Sequence, residues 1–556
     1  MDTIEYIIKL KASNSISQAQ EWPNEAGFQS LHEERTPVEL RVIGKIPDYA
    51  AGALYRTGPA NYKINRSPQK DFEVSHWFDG FGQTHRFQII PDNNGTTRVF
   101  YSSRHQNDEL KKSARDSGTY PSITFAQKRD PCIGIFGKVM SLFERASSKP
   151  SSYNVNVAIV PNLPGIESSK KDVAGDVPKH SSGVDSLWLT TDCSIIKELD
   201  PHTLEPIGVA CQRVLHPLLS GPLSCAHAMS DPKTGDVYNY NLAFGRFATY
   251  RVFRVSASSG ETEILATIAG TGVEPAYLHS FFMTEDFVIL CIWGARLDYY
   301  GLNVFLGRNV LDAVKPFDSS KPVKWFVIDR KHGRGIVAEL ESPAAFCFHT
   351  INAWQTVNDK GQIDIICEYL EYKNLDILYE FYYFKIISTS KEARNQKGTD
   401  SYPALTRYRL SNIGEKTIKR ETGNKLPQAE LIRQMPRSGE LPTINPQFRM
   451  KENRFLYSIV SRGYSTFMDG ISKVDTLNNT TSYWENPVGH TPGEAIFIPD
   501  PDGIEEDDGV LLSVVLDGFQ GTSYLLCLDG KTMREIGKAE CDWVVGFGAH
   551  GHHVQS

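Results

Sequence analysis

The chain alternates short apolar stretches with clusters of glycine, proline and polar residues along most of its length. Apolar runs recur at 187–190, 250–255, 324–328, 455–460 and 510–516, with residues typical of turns between them. Runs this short, bounded by turn residues, predict β-strands. The pattern therefore predicts an all-β protein, and a sandwich, a barrel or a propeller would satisfy it.

The length favours a propeller among these architectures. A blade of four strands takes roughly 40–50 residues, so a chain of 556 residues can hold several blades around one core. Strict repeats are not visible, so the blades must be divergent. We expect residues 1–35 to form an N-terminal arm and residues 36–556 to form a single propeller domain. Residues 131–147 resemble a helix, and residues 386–404 resemble a polar loop.

Composition and charge narrow the functional classes. The net charge of −7 argues against a general nucleic-acid-binding protein, which needs clustered Lys and Arg. The nine cysteines form no CxxC pair, which favours free thiols in a reducing compartment. The N-terminus lacks the pattern of a signal peptide, and no apolar run reaches the length of about 18 residues that predicts a membrane-spanning helix. We therefore expect a cytoplasmic protein.

Four histidines occupy the same position in a repeated local pattern, because each lies at the end of a short strand unit. They are His227, His279, His349 and His550. In a propeller the innermost strands surround a central channel, so the ends of these strands converge. The gaps between the histidines are far longer than those of local metal motifs such as HExxH. From spacing alone, a shared metal site and four separate structural histidines both stay open.

Several sequence blocks in a consistent order, spanning about residues 50 to 553, carry a family resemblance. The blocks are Tyr55-Arg56-Thr57-Gly58-Pro59, Trp77-Phe78-Asp79-Gly80, Ala226-His227, Asp231-Pro232-Lys233-Thr234-Gly235, His279-Ser280-Phe281-Phe282-Met283-Thr284-Glu285, Phe348-His349-Thr350-Ile351-Asn352-Ala353, Gly439-Glu440-Leu441-Pro442-Thr443-Ile444-Asn445, Pro492-Gly493-Glu494-Ala495-Ile496-Phe497, Asp507-Asp508-Gly509 and Gly548-Ala549-His550-Gly551. Singly these blocks are modest signals, but their order and spacing are specific. On these residues the chain resembles the carotenoid cleavage oxygenase family.

This resemblance implies a seven-bladed β-propeller with a dome of helices and loops over the active-site face. It also implies an Fe(II) ion on the propeller axis, held by the four histidines named above. The family usually has Gly-Phe-His-Gly at the last ligand, whereas this chain has Ala549 before His550. His552 and His553 follow closely and are alternative ligands.

The resemblance further implies three carboxylates behind the ligands. Glu440 and Glu494 match two of these positions, and Asp192 lies at the third, where the family commonly has Glu. A carboxylate there would accept the second N–H of a ligating imidazole and fix its tautomer. Because Asp192 is shorter than Glu, we expect it to act through a water molecule. The alternative interpretation is that these acids are ordinary surface charges.

The function that follows from the resemblance is oxidative cleavage. Four neutral imidazoles suit Fe(II), and an electron-rich alkene can supply the electrons for its own cleavage, so no reductant motif is required. We expect an Fe(II)-dependent dioxygenase that splits one C=C bond of a carotenoid or apocarotenoid with O₂ and releases aldehydes. Retinal is one product that the resemblance allows. The sequence indicates no oligomeric state.

Other functions stay open at this point. Within the family, stilbene cleavage would need a Tyr and a Lys that hold a phenol, for which Tyr120 and Lys138 are candidates. Retinyl-ester isomerohydrolysis is a second family activity. A metal-free propeller could serve as a binding scaffold. A zinc hydrolase would prefer three histidines plus water, so the fourth histidine argues against that class.

The helix-like stretch contains a predicted membrane contact. Ile135, Val139, Met140 and Phe143 recur on one apolar face. A helix packed on the propeller explains this pattern equally well. The resemblance favours an interfacial helix, because retinoid and carotenoid members have an amphipathic segment here that dips into the bilayer near the substrate tunnel. We therefore expect peripheral membrane association, with Cys132 as a candidate S-acylation site.

Overall fold

The structure is a computed structural model, and it describes residues 22–92, 97–128, 149–169, 183–387, 401–414 and 426–555. Most of these residues lie in strands or in the turns between them. The first strands are β1 (Val38–Gly44), β2 (Gly52–Asn61), β3 (Lys63–Ile64), β4 (Phe72–Glu73), β5 (Phe81–Pro91), β6 (Thr97–His105), β7 (Ala158–Pro161), β8 (Leu187–Thr190), β9 (Ile195–Leu199), β10 (Pro206–Cys211) and β11 (Leu223–Ser224). The next are β12 (Met229–Ser230), β13 (Val237–Ala243), β14 (Thr249–Val255), β15 (Thr262–Ile268), β16 (Phe282–Met283), β17 (Phe287–Ile292), β18 (Val323–Asp329), β19 (Ile336–Ser342), β20 (Phe346–Val357), β21 (Ile363–Tyr372) and β22 (Ala404–Ile413). The last are β23 (Glu430–Pro436), β24 (Glu440–Thr443), β25 (Phe455–Val460), β26 (Gly470–Asp475), β27 (Thr480–Tyr483), β28 (His490–Pro492), β29 (Ile496–Pro499), β30 (Gly509–Asp517), β31 (Thr522–Asp529), β32 (Glu535–Cys541) and β33 (His550–Gln555).

The helices of the described ranges are short. The α-helices are α1 (Asp108–Ser117), α2 (Leu302–Gly307), α3 (Ile377–Glu380) and α4 (Tyr383–Ile386). The 3₁₀ helices are Glu25–Phe28, Asp48–Ala50, Trp77–Asp79, Pro150–Ser152, Gln212–Val214, Asp298–Gly301, Leu311–Ala313 and Pro446–Phe448. None of the helices in the described ranges is long and apolar enough to cross a membrane.

Five separate antiparallel sheets follow one another along the chain, as expected for a propeller-like protein. In strand order they are β10-β9-β8-β7, β11-β13-β14-β15 with β12 also on β13, β16-β17-β18-β19, β20-β21-β22-β23 and β24-β25-β26-β27. The five apolar runs named from the sequence lie in β8, β14, β18, β25 and β30, so the all-β prediction is confirmed. Central strands such as β17 are buried along their whole length and therefore read as continuous apolar runs. The outermost strand β27 is largely exposed and is polar.

The remaining large sheet has ten strands, in the order β28-β30-β31-β32-β1-β6-β5-β2-β33 with β29 on β30. Strand β1 joins its two halves, because 41–44 pairs with β32 while 38–40 pairs with β6. The prediction of seven separate blades is therefore wrong: five sheets are separate, and one strand fuses the rest into a continuous sheet. Strand β33 pairs with β2, so the last described strand lies in the same sheet as the first ones.

The described part of the predicted N-terminal arm is packed into the protein. Trp22, Asn24 and Phe28 are buried, and Ser30 N–H donates to the carbonyl of Ala60. The boundary at residue 35 stays a prediction. The helix-like stretch 131–147 lies outside the described residues, as does most of the loop-like stretch 386–404. The eight cysteines within the described ranges are free thiols.

Candidate metal centre

Four histidines from four different sheets meet at one point. His227 lies between β11 and β12, His279 lies shortly before β16, His349 lies within β20, and His550 begins β33. One ring nitrogen from each lies within 4.8 Å of the others. The Nε2 atoms of His227 and His279 are 3.1 Å apart, and those of His349 and His550 are 3.2 Å apart. The structure thus brings the four predicted histidines together.

The three predicted carboxylates each contact the outward-facing nitrogen of one of these imidazoles. The pairs are His279 Nδ1 with Asp192 Oδ2 at 2.8 Å, His349 Nδ1 with Glu440 Oε2 at 2.6 Å, and His550 Nδ1 with Glu494 Oε1 at 2.8 Å. Glu440 and Glu494 are buried and Asp192 is half-buried, and each contacts an imidazole, so the surface-charge interpretation does not describe them. Within the described ranges, His227 has no carboxylate partner of this kind.

Asp192 contacts its histidine directly, so the expectation of a bridging water was wrong. The loop that carries Asp192 is hydrogen-bonded to the segment before His227: Ser224 N–H donates to the Asp192 carbonyl, and Ala226 N–H donates to Oδ1. These bonds bring the backbone of Asp192 close to the histidines. The shorter side chain therefore reaches His279 without help.

Two tyrosines complete this hydrogen-bonding shell, and sequence reasoning missed both. The Tyr277 hydroxyl donates to Asp192 Oδ2 at 2.7 Å, and the Tyr372 hydroxyl donates to Glu440 Oε1 at 2.6 Å. Each tyrosine thus braces a carboxylate that in turn braces an imidazole. Burial raises the pKa of both phenols well above 10, which keeps them protonated as donors. The only available signal was that Tyr277 stands two residues before His279.

Glu494 is held by a buried arginine instead of a tyrosine. Arg56 donates to the carbonyl of Glu494 at 2.9 Å and to the carbonyl of Phe547 at 3.2 Å, and Gly551 N–H donates to Glu494 Oε2 at 2.7 Å. Burial raises the pKa of the Glu494 carboxyl to about 7, although Arg56 and the Gly551 N–H act in the opposite direction. Arg56 therefore links the segment before His550 to the carboxylate that contacts His550.

The protonation pattern fits a bound divalent metal. Burial, with the neighbouring imidazoles adding to it, lowers the pKa of His227 and of His550 well below 6.5, so both rings are neutral. An Nδ1–H donated to a carboxylate leaves Nε2 as a bare acceptor. The facing Nε2 atoms of His349 and His550, 3.2 Å apart, then repel each other unless a cation lies between them. Imidazole nitrogens of this kind suit transition metals including Fe(II).

A cavity of about 430 Å³ adjoins the histidines. Its aromatic lining residues are Trp77, Phe78, Tyr120, Phe125, Tyr153, Tyr277, Phe305, Phe348, Phe381 and Phe467, and its wall also includes His279, His349 and His550. Ile123 is 42% exposed and lies where the cavity meets the surface, whereas Trp77, Phe467 and Met468 line a buried wall. The volume is within the range of small-molecule sites, and the lining is suited to an apolar ligand.

Polar groups in this wall are engaged with one another. The Tyr120 hydroxyl donates to the carbonyl of Asp79 at 3.1 Å and accepts from Asn154 Nδ2 at 2.9 Å. Asn154 Nδ2 also donates to the carbonyl of Gly80 at 2.9 Å. A substrate therefore meets the side chains of Tyr120 and Asn154 already partnered with each other and with the backbone.

The other predicted residues lie elsewhere. His552 lies opposite Tyr55 in the pairing of β33 with β2, and His553 Nε2 is 3.1 Å from the carbonyl of Ala50, so neither joins the cluster. Ala549 lines the cavity beside His550. The residues Lys138, Cys132, Ile135, Val139, Met140 and Phe143 lie outside the described residues.

The fold and the site define a class: a propeller-like all-β protein with four histidines, three of them braced by carboxylates, beside an apolar cavity. The chain belongs to the retinal pigment epithelial membrane protein family, whose family model matches residues 27–555. The resemblance to carotenoid cleavage oxygenases is confirmed by this match and by the relatives.

Two fungal relatives and two solved structures illustrate the likeness. A carotenoid dioxygenase of Neurospora crassa is 46% identical, with 97% of this chain and 92% of the relative covered. A torulene dioxygenase of Gibberella fujikuroi is 43% identical, with 96% and 94% covered. A variant of the Synechocystis apocarotenoid oxygenase has a TM-score of 0.70 at 20% identity, covering 97% of this chain and 100% of that one. The cobalt-substituted form of that oxygenase has a TM-score of 0.69 at 20% identity, covering 96% and 98%. At such identity the two structures show the fold alone.

Proposed function

We propose that this chain, a carotenoid cleavage dioxygenase, uses Fe(II) and O₂ to split one C=C bond of a carotenoid or apocarotenoid into two aldehydes. The observation that carries the proposal is the convergence of four histidine side chains beside an aromatic cavity. The carotenoid and torulene dioxygenases at 46% and 43% identity support the substrate class.

The four histidines would hold the metal, and the carboxylates would keep the imidazoles in the correct tautomer. When bound, Fe(II) supplies the redox chemistry that allows O₂ to react with an electron-rich double bond. The reaction balances without a reductant, because each carbon of the double bond receives one atom of O₂. Each carboxylate accepts a hydrogen bond from the Nδ1–H of its histidine and so keeps that proton on Nδ1; the three acids are Asp192, Glu440 and Glu494. Each Nε2 lone pair then stays free for the metal.

The cavity would bind the conjugated chain and exclude water. Aromatic side chains offer large apolar faces, and their π-systems can stack against a polyene. The engaged hydroxyl of Tyr120 favours a carotenoid over a stilbene, because a hydroxyl that already donates to Asp79 is not free to hold a phenol. The cavity wall thus supports a hydrocarbon chain as the substrate.

A substrate panel tests this proposal. Purified protein loaded with Fe(II) is incubated in air with torulene, β-carotene, an apocarotenal and resveratrol, and the aldehydes are identified by mass spectrometry. We expect aldehydes from at least one carotenoid and none from resveratrol, and retinal among the products would identify the bond that is cleaved. Cleavage of resveratrol alone, or no cleavage by the iron-loaded protein, would overturn the proposal.

Peripheral membrane association is part of the same proposal, because a carotenoid resides in lipid. Helix α2 contributes Phe305 to the cavity wall, while Leu302 and Leu306 on the same helix are 52% and 61% exposed. Tyr299 and Tyr300, just before α2, are exposed as well. An exposed apolar surface next to a cavity that opens at Ile123 suits contact with a lipid surface, from which the substrate could enter without crossing water.

A further inference from the structure

A buried aromatic residue of the N-terminal segment lies directly behind a buried part of the cavity wall. Phe28 has no exposed surface, and its ring centroid is 5.1 Å from that of Phe467 and 6.3 Å from that of Trp77. Phe467 and Trp77 both line the cavity. Phe28 does not line the cavity itself, so it acts on a ligand only through these two rings.

The segment that carries Phe28 is fixed at several points. Trp22 Nε1 donates to Thr491 Oγ1 at 2.9 Å, and Asn24 Nδ2 donates to the carbonyl of Ile386 at 2.9 Å. Ser30 Oγ donates to the carbonyl of Val544 at 3.0 Å. Hydrogen bonds on both sides of Phe28 hold its backbone against the sheets. The ring therefore cannot move outward together with its backbone.

The contact with Phe547 is the tightest of these attachments. Phe547 N–H donates to the carbonyl of Gly27 at 3.0 Å, and the Phe547 ring is 4.8 Å from Phe28. A Cβ atom on Gly27 would lie 2.4 Å from the Phe547 ring, so only glycine allows this approach. Phe547 in turn packs on Phe467 at 5.2 Å. The rings of Phe28, Phe467 and Phe547 therefore form one packed group behind the cavity wall.

We propose that Phe28 is a specificity-determining residue that sets the position of the cavity wall formed by Trp77 and Phe467. The position of that wall decides how the substrate chain lies relative to the histidines, and therefore which double bond lies beside them. This inference rests on the proposed function. Its physical basis is that interiors are close-packed, so loss of a buried ring leaves space into which Phe467 and Trp77 can shift.

The test compares product ratios from one carotenoid that yields two or more alternative aldehydes. Phe28→Ala is expected to change the ratio of longer to shorter aldehydes about tenfold, the discrimination that methylene-sized changes in an apolar pocket produce. Phe28→Leu should shift the ratio in the same direction by less. Phe87→Leu is the matched control, because Phe87 is equally buried but belongs to a separate apolar cluster away from the cavity. It should lower the melting temperature and leave the ratio unchanged.

The outcomes separate this inference from the proposed function. If wild type cleaves no carotenoid, the proposed function is wrong, and the inference that rests on it is wrong as well. If wild type is active and folded Phe28→Ala gives the wild-type product ratio, the specificity role is wrong. Should Phe28→Ala fail to fold, Phe28→Leu decides in its place, and an unchanged ratio in that variant overturns the inference. An equal shift of the ratio in Phe87→Leu would also overturn it, because general loosening would then explain the effect.

Discussion

The hydroxyl of Tyr277 donates a 2.7 Å hydrogen bond to Oδ2 of Asp192. The same carboxylate oxygen is 2.8 Å from Nδ1 of His279, so the three side chains form a continuous chain from phenol to imidazole. Tyr372, Glu440 and His349 form a similar chain, in which the phenol and the imidazole contact different oxygens of the carboxylate. Two of the four imidazoles are therefore oriented by a buried pair of side chains instead of a lone carboxylate, which fixes their direction more tightly.

Removal of either member of such a pair should loosen the candidate metal site. Glu440→Gln and Glu494→Gln are expected to weaken iron retention or turnover by about 10–100-fold, the usual range for groups that orient ligands. Tyr277→Phe keeps the ring but removes the donor to Asp192, so we expect a loss near the lower limit, about tenfold. The measurements are iron per chain and the dissociation rate of iron into a chelator. Tyr101→Phe is the matched control, because the Tyr101 hydroxyl is 2.8 Å from His85 Nδ1 and the residue belongs to a separate apolar cluster. Unchanged iron retention in all three variants would reduce these residues to ordinary packing.

The four candidate ligands can be separated from their neighbours by substitution. His227→Ala, His279→Ala, His349→Ala and His550→Ala should each abolish carotenoid cleavage and lower iron content, while the fold is retained. His552→Ala is the matched control, because His552 lies two residues along β33 from His550 but is not part of the cluster. Iron content is measured by mass spectrometry and the fold by circular dichroism. Loss of iron in His552→Ala with full iron in His550→Ala would reverse the assignment.

The sequence pattern could predict the strands and pick out the four histidines because both are local signals, whereas the family resemblance assigned the histidines to one metal site. An apolar run between turn residues is visible without knowledge of its neighbours, and so is a histidine at a strand end. The arrangement of sheets depends on long-range pairing. Nothing within 38–44 shows that its two halves pair with different neighbours, one of them about 500 residues away in β32.

The bracing tyrosines could not be predicted for a similar reason. Tyr277 and Asp192 are 85 residues apart, and a tyrosine within an apolar segment is typical of an ordinary core position. Likewise, the direct contact between Asp192 and His279 depends on how closely two loops approach, which side-chain length alone does not indicate. The family resemblance therefore identified the carboxylates but not the partners that hold them.

The exposed apolar surface around α2 leads to a partitioning experiment. Leu302→Glu combined with Leu306→Glu places two charges on the surface proposed to contact lipid, so the variant should bind liposomes more weakly in flotation. Turnover of carotenoid in liposomes should fall, while turnover of detergent-dispersed carotenoid should change much less.

Leu431→Glu combined with Leu477→Glu is the matched control, because both leucines are similarly exposed, at 50% and 66%, but lie in β23 and in the turn between β26 and β27. If both double variants float with liposomes as wild type does, α2 does not contact the membrane. Equal loss in both variants would point to a general effect of negative charge instead.

A buried lysine predicts a distinctive dependence of stability on pH. Lys197, on β9, has no exposed surface, and its amine donates to the carbonyls of Gln106 at 3.0 Å and Tyr153 at 2.5 Å. Burial lowers the pKa of Lys197 to about 7, whereas an unfolded lysine has a pKa of about 10.4. A neutral amine can still donate two hydrogens, which satisfies both carbonyls without a buried charge.

Between these two pKa values the unfolded chain holds a proton that the folded chain lacks, so the free energy of unfolding rises with pH. The contribution is at most about 1.4 kcal/mol for each pH unit, and it is lost as the pH falls towards about 7. Lys197→Met removes the titration and both hydrogen bonds at every pH. The melting temperature of wild type minus that of Lys197→Met should therefore increase between about pH 7 and about pH 9.5. Lys360→Met, at an exposed position, should give a difference that does not depend on pH. A flat or falling difference for Lys197→Met would mean that the buried amine stays charged in the folded protein.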